Sequence, residues 1–222
     1  MTVFVLILLS AILIAASFVY LTHKDLGGKG AEGLKRCIGM HKGLSAYLGA
    51  CFVLMCALSV VLEKVYVTNT LVANMKVITL LGLLVTVAVT DFKEHIIPNM
   101  VILAGIILRM VFAIAELFTL GSGYFAILKS DAISVLLALV LFVFGTLIVK
   151  NGIGMGDIKL VFVMGLFQGI VGVISSLFLS LLVSFFVAIA LLITRKKTRK
   201  EAIAFAPSVL IGTAVSMFLT GM

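Results

Sequence analysis

The chain has 222 residues, of which 63% are hydrophobic and 12% charged, with no tryptophan and a mean hydropathy of +1.35. That balance excludes an ordinary soluble domain and predicts an all-α polytopic membrane protein. The net charge of +8 does not point to nucleic acid, because the basic residues sit in short connections between apolar runs rather than on a polar face.

At about 20 apolar residues per span, the chain supplies about six to eight transmembrane helices and leaves little for anything else. Residues 1–222 therefore read as a single transmembrane domain. In chain order, apolar runs lie near 3–22, 45–63, 74–90, 99–118, 131–149, 158–170, 171–193 and 204–221, which predicts about eight helices. No basic segment precedes the first run, so it is expected to stay as an anchor rather than be cleaved as a signal peptide. The next stretch, 23–44, reads as a short basic loop carrying Cys37, and Cys51 and Cys56 fall inside the second run as packing residues. No CxxC pair occurs, so neither a metal site nor any other cofactor is expected.

The segment from Ile158 to Ile193 is too long for one ordinary span and short for two. Charge decides in favour of a reversal near Gly169 and Gly172. Lys24, Lys29, Lys35, Arg36 and Lys42 lie in the first loop, and Arg195, Lys196, Lys197, Arg199 and Lys200 in a later one. The positive-inside rule puts both loops in the cytoplasm, which requires the extra return. With the N-terminus outside, segments 23–44, 91–98, 150–157 and 194–203 face the cytoplasm and hold 12 of the 17 Lys and Arg residues. The outer connections keep only Lys64, Lys76 and Lys129.

Two acids stand at matching places. Asp91 follows the third run directly and Asp157 precedes the sixth, with two spans between them, so both are expected on one side and at similar depth. A carboxylate beside hydrocarbon is costly unless paired, hydrated or protonated. Two such groups within a few ångströms cannot both ionise freely and come to share a proton. Aspartyl proteolysis needs that arrangement: one carboxyl group takes a proton from water while the other donates to the scissile carbonyl. Read singly, each residue also suits a helix end, Asp157 as an N-cap and Asp91 as a solvated loop acid.

Glycines at 152, 154 and 156 precede Asp157 and give a backbone free of Cβ bulk, able to lie against an extended peptide. Neither GxGxxG nor GxxxxGK[ST] is present, which argues against a nucleotide loop. Lys159 suits an interfacial anchor.

The GxGDxK pattern at Gly154, Gly156, Asp157 and Lys159 closely resembles the type IV prepilin peptidase family, as does Asp91-Phe-Lys-Glu-His-Ile-Ile-Pro98-Asn99. Gly165 and Gly169, spaced along the following span, resemble it too. A weaker match is Ala204-Phe205-Ala206-Pro207-Ser208, which departs from the family's Pro-Phe-Gly-Pro type at the first proline and the glycine. The resemblance covers about Thr90 to Gly212. It implies a GxGD aspartyl protease fold, with Asp91 and Asp157 as the catalytic pair. Gly154, Gly156, Lys159, Pro98, Asn99 and Glu94 are then candidate substrate contacts.

The implied substrate is a prepilin or pseudopilin-like membrane protein, cleaved after a glycine at the cytoplasmic face of the inner membrane. Larger family members also N-methylate the new terminus and carry cysteine pairs in a big first loop. Here that loop is short with only Cys37, so peptidase activity is expected without a zinc-bearing insert and without methyl transfer. The shorter tight-adherence pilus and archaeal preflagellin peptidases are similar in this respect.

Other polar residues fit blander roles. Lys93, Glu94 and His95 suit a solvated loop, and the basic stretch 195–200 suits anionic lipid. Arg109 and Glu116, seven apart on one helical face, are expected to compensate each other in part. A cation-coupled transporter using the same aspartates is the rival from another class, although it favours acids at mid-membrane depth in broken helices. A presenilin-like protease shares GxGD, but its Pro-Ala-Leu motif is absent. An inactive assembly protein of the same fold is a third possibility. Oligomeric state is not encoded in any pattern found.

Overall fold

The computed structural model describes residues 2–26, 32–148, 154–194 and 204–221, all helical or in short connections. Lys29, Asn151, Gly152 and the basic stretch from Arg195 to Lys200 lie outside the described residues, as do the side chains of Lys35, Arg36, Cys37 and Lys42. The helices are α1 (Thr2–Leu26), α2 (Glu32–Lys64), α3 (Leu71–Glu94), α4 (Asn99–Leu120), α5 (Tyr124–Ile148), α6 (Met155–Ile193) and α7 (Ala206–Thr220). A single 3₁₀ turn, Gly121–Gly123, links α4 to α5. Among the described residues, five helices are long and apolar enough to cross a membrane: α1, α2, α3, α4 and α6. The chain is thus an all-helical, multi-pass membrane protein.

Two compact units divide the chain within α3, Met1–Thr86 and Val87–Met222. In the first, small and hydroxyl side chains let helices approach closely, as membrane packing requires. Gly82 lies against Leu13, and the Ser17 and Thr86 hydroxyls hydrogen-bond at 2.8 Å. Helix extends well into the stretch 23–44 expected as a loop, since α1 runs to Leu26 and α2 begins at Glu32. Hydropathy marks the apolar part of a helix and not its end, and Leu, Lys and Arg are good helix formers in water as well.

The second unit is organised around α6. Its 39 residues would measure about 58 Å if straight, nearly twice a hydrocarbon core of about 30 Å. The helix is in fact broken at Gly169, with φ 64° and ψ −172°. The limb 155–168 runs antiparallel to α5: the Ser134 hydroxyl donates to the Gly165 carbonyl at 2.7 Å, and Ser130 sits against Gly169. The limb 170–193 runs antiparallel to α7, with Ser175 bonded to Ser216 at 2.8 Å and Ser180 beside Gly212. Gln168 Nε2 donates to Ser176 Oγ at 2.8 Å, although eight residues along a straight helix would separate them by about 12 Å. The two limbs therefore fold back on each other where Gly169 was expected to turn.

That backbone conformation is essentially restricted to glycine. Gly169→Ala is expected to cost about 1–3 kcal/mol from backbone strain alone, read as a lower thermal midpoint in detergent. A Cβ would also press on the Ser130 hydroxyl at 2.5 Å.

Candidate active site

The reversal in α6 gathers three helix ends from distant parts of the chain. Helix α3 ends at Glu94, followed by His95 in the left-handed region at φ 53°, whose N–H donates to the Asp91 carbonyl at 2.9 Å. The turn leads through Ile97 to Pro98, which is buried and occupies the N-cap position of α4, its carbonyl accepting from Val101 and Ile102. Asp91 thus lies in the last turn of α3, only 6% exposed, and not in a solvated loop.

A buried carboxyl group needs a donor, and the Ala206 backbone supplies it. Its N–H donates to Asp91 Oδ2 at 2.8 Å. The first amides of a helix have no partner within it, and α7 has no side-chain cap of its own. Pro207, with no N–H to satisfy, fits the first turn. The Asp91 carboxyl therefore caps α7 from 115 residues away. The weakest of the sequence matches, Ala204 to Ser208, turns out to touch the first aspartate directly.

Asp157 sits in the first turn of α6, where Gly154 and not Asp157 is the N-cap. Its backbone N–H donates to the Gly154 carbonyl at 3.1 Å, and its carboxyl group is hydrogen-bonded by the Gly154 backbone, a capping-box-like exchange. Asp157 is half-buried and interacts electrostatically with Asp91. Both carboxyl groups thus lie at one end of the second unit, near enough to act on one another electrostatically.

Gly156 explains how the two aspartate segments come so close. A Cβ there would stand 3.0 Å from Ile97 Cβ, tighter than ordinary contact. Its role in the geometry is packing of one motif on the other. Gly156→Ala is expected to lower thermal stability by about 1–3 kcal/mol, the usual range for overpacking. Ile97→Ala in the same chain, which keeps the Cβ but removes the Cγ1 and Cδ1 contacts, is expected to recover only part of it. A detergent melting series of the single and double variants measures this.

Lys159 Nζ donates to Asn99 Oδ1 at 2.9 Å, tying the start of α4 to the start of α6 at an exposed position. Gly154 and Glu94 are also exposed at this end. Beside them opens an apolar cavity of about 550 Å³, lined by Asn99, Met100, Ile102, Leu103, Ile158, Lys159 and Phe162 among others. Its polar rim is the Asn99–Lys159 pair, and Ile158 is the residue after Asp157. Among the described residues no cluster of three or more His, Cys, Asp or Glu is arranged to hold a metal ion.

The comparisons with known proteins bear on this constellation. The model of the type IV leader peptidase family matches residues 78–193, a stretch containing both aspartates and the whole of broken α6. The chain belongs to the type IV leader peptidase family. The resemblance read from the GxGD and Ile-Pro-Asn segments is borne out at the level of the family. Among curated proteins, the prepilin leader peptidase/N-methyltransferase of Bacillus subtilis (strain 168) is 28% identical over 139 residues, covering 63% of this chain and 53% of that protein. The chain therefore matches about half the length of that relative. No solved structure matches the chain.

Sequence reasoning missed three parts of this leader peptidase family member: the Ala206 amide, Ile97 as the surface that Gly156 meets, and Asp131. A backbone donor leaves no side-chain signal, so only the Ala204 to Ser208 resemblance pointed to the first. Asp131 stands at the first position of an apolar run and belongs to none of the motifs. The expected Arg109–Glu116 pair is present at 2.9 Å, but Asp131 is a further partner of the same guanidinium.

Proposed function

We propose that the protein is a membrane aspartic endopeptidase that removes the short basic leader from type IV prepilin or pseudopilin-like precursors. The reading is carried by one observation above all, the gathering of Asp91 and Asp157 at the end where α3 stops and α6 and α7 begin, with the Ala206 N–H on Asp91 Oδ2 and Gly156 packed on Ile97. One carboxyl group takes a proton from a water held between the two while the other protonates the carbonyl oxygen. As the tetrahedral gem-diol collapses, the former passes its proton to the leaving amine and the latter recovers one from a gem-diol hydroxyl. The Ala206 amide holds the first carboxyl group and the Gly154 backbone the second, so neither has to be reoriented during reaction. Family membership supports the substrate class, and the name of the relative carries leader peptidase activity.

The apolar cavity beside Ile158 is suited to the substrate's own hydrophobic segment, with Asn99, Lys159, Gly154 and Glu94 near the peptide that enters the site. Gly156 and Pro98 contribute by shaping the approach of the two motifs. The fold read in this way is a GxGD protease of about eight spans, within a range of six to eight, N-terminus outside, forming a single domain in the inner membrane. The basic connections support placing the aspartates on the cytoplasmic side. The other activity in the relative's name, N-methyl transfer, is not part of the reading.

Purified protein in proteoliposomes, incubated with a prepilin, is expected to release the leader, seen as a gel shift. The mass of the new N-terminus distinguishes a free amine from one carrying a methyl group. Cation-coupled uptake without cleavage would overturn the proposal in favour of a transporter.

A further inference from the structure

Arg109, Glu116 and Asp131 are buried to 5%, 1% and 4% exposure, and nothing at the aspartate end uses them. Arg109 pairs with Glu116 Oε2 at 2.9 Å and with Asp131 Oδ2. Ionisable groups within membrane helices are costly, and a buried ion pair by itself is weak grounds for stability. The cluster has a more specific use in the backbone beside it.

With Gly169 at φ 64°, the next peptide leaves the helical path. In an unbroken helix the Leu166 carbonyl would face the Ile170 N–H. Here the Ile170 N–H donates to Ser130 Oγ at 3.1 Å, and the Leu166 carbonyl accepts from Arg109 Nε at 2.6 Å. Water is scarce at this depth, so a chain reversal inside the membrane needs protein groups to satisfy its backbone. The guanidinium is suited to it because its planar fork offers several donors at once: Nε reaches the helix end while both terminal nitrogens remain for the two acids.

We infer that Arg109, held by Glu116 and Asp131, is a positioning residue that caps the far end of limb 155–168 and so fixes where Asp157 meets Asp91. The limb is a stiff rod about 20 Å long, with Leu166 near one end and Asp157 near the other. Its meaning for catalysis rests on the proposed peptidase, but its geometry can be tested without activity.

Gly156 and Ile97 provide the gauge, since a Cβ at 156 would lie 3.0 Å from that of Ile97, about 0.5 Å inside the range of a disulfide, so that a small adjustment brings the pair into bonding geometry. In a chain with Cys37, Cys51 and Cys56 replaced by serine, I97C and G156C are introduced and cross-linked in membranes by a mild oxidant. Arg109→Met is expected to slow the cross-link by about tenfold, because disulfide formation tolerates little displacement. Arg109→Lys is expected to recover part of the rate, and Ser130→Ala to slow it to a smaller extent. Parental cross-linking rates in folded Arg109→Met overturn the inference. If that variant does not fold, parental rates in both Arg109→Lys and Ser130→Ala overturn it instead. Prepilin cleavage is followed in parallel in chains without the introduced pair, where Arg109→Lys is expected to lower kcat and leave KM unchanged. Failure of the unsubstituted chain to cleave would sink the peptidase reading, while the cross-link would still decide the positioning role.

Discussion

Asp91→Asn and Asp157→Asn are each expected to lower prepilin cleavage by about a thousandfold or more while leaving the protein folded, in keeping with loss of one partner in acid–base catalysis. Asparagine preserves the size of the side chain and an acceptor oxygen. At position 91 that oxygen can still receive the Ala206 N–H, so α7 keeps its cap and a loss of activity cannot be blamed on a misplaced helix. At position 157 the Gly154 backbone can likewise keep its partner. What each variant removes is the ability to take up and release a proton at that place. Steady-state cleavage, read with the thermal midpoint of each variant in the same detergent, separates the two effects. Substantial cleavage by either variant would end the assignment of the pair as catalytic.

Gly212→Val is expected to be the most damaging change away from the aspartates. Helix α7 crosses limb 170–193 so closely at this point that a Cβ on residue 212 would overlap the Ser180 backbone, not merely a side chain that can swing aside. Neither helix can give way alone. Ser175 and Ser216 are bonded one turn away, and Ser216, Thr213 and Ser180 are all fully buried. Forcing the helices apart is expected to cost about 3 kcal/mol or more, the upper part of the range for overpacked sites. It also moves the start of α7, and with it the amide that holds Asp91, so activity is expected to fall along with stability. Ile211, half-exposed beside it, is the control: Ile211→Val is expected to change the melting midpoint little. A Gly212→Val protein as stable as the parent would show that the α6–α7 contact is looser than described.

Much of this architecture was legible in the sequence because a bilayer leaves few choices. Each apolar run lies along a helix, and the awkward stretch from Ile158 to Ile193 announced its reversal through length and the charge at its flanks. The two aspartates were legible because each adjoins an apolar run within a recognisable motif; position alone would equally have picked out Glu63 and Asp131. Contacts across helices were not. Hydropathy says how deep Arg109 and Glu116 lie but not which neighbouring helix faces them, and Asp131 carried no mark that distinguished it from a helix end. Gly156 was read as room for a peptide, and its close packing on Ile97 carried no mark in the sequence. Sequence shows that a position must be small; it does not show what fills the space.

The bond from Ala206 to Asp91 has a bearing on how such a protein comes into being. A ribosome delivers Asp91 to the membrane 115 residues before the Ala206 amide, which follows only after the α6 hairpin has been threaded. Until α7 enters, the first carboxyl group lacks the donor that holds it in place. On the proposed reading the site is complete only once α7 has entered, so cleavage is expected to depend on the most lately made of its three helix ends.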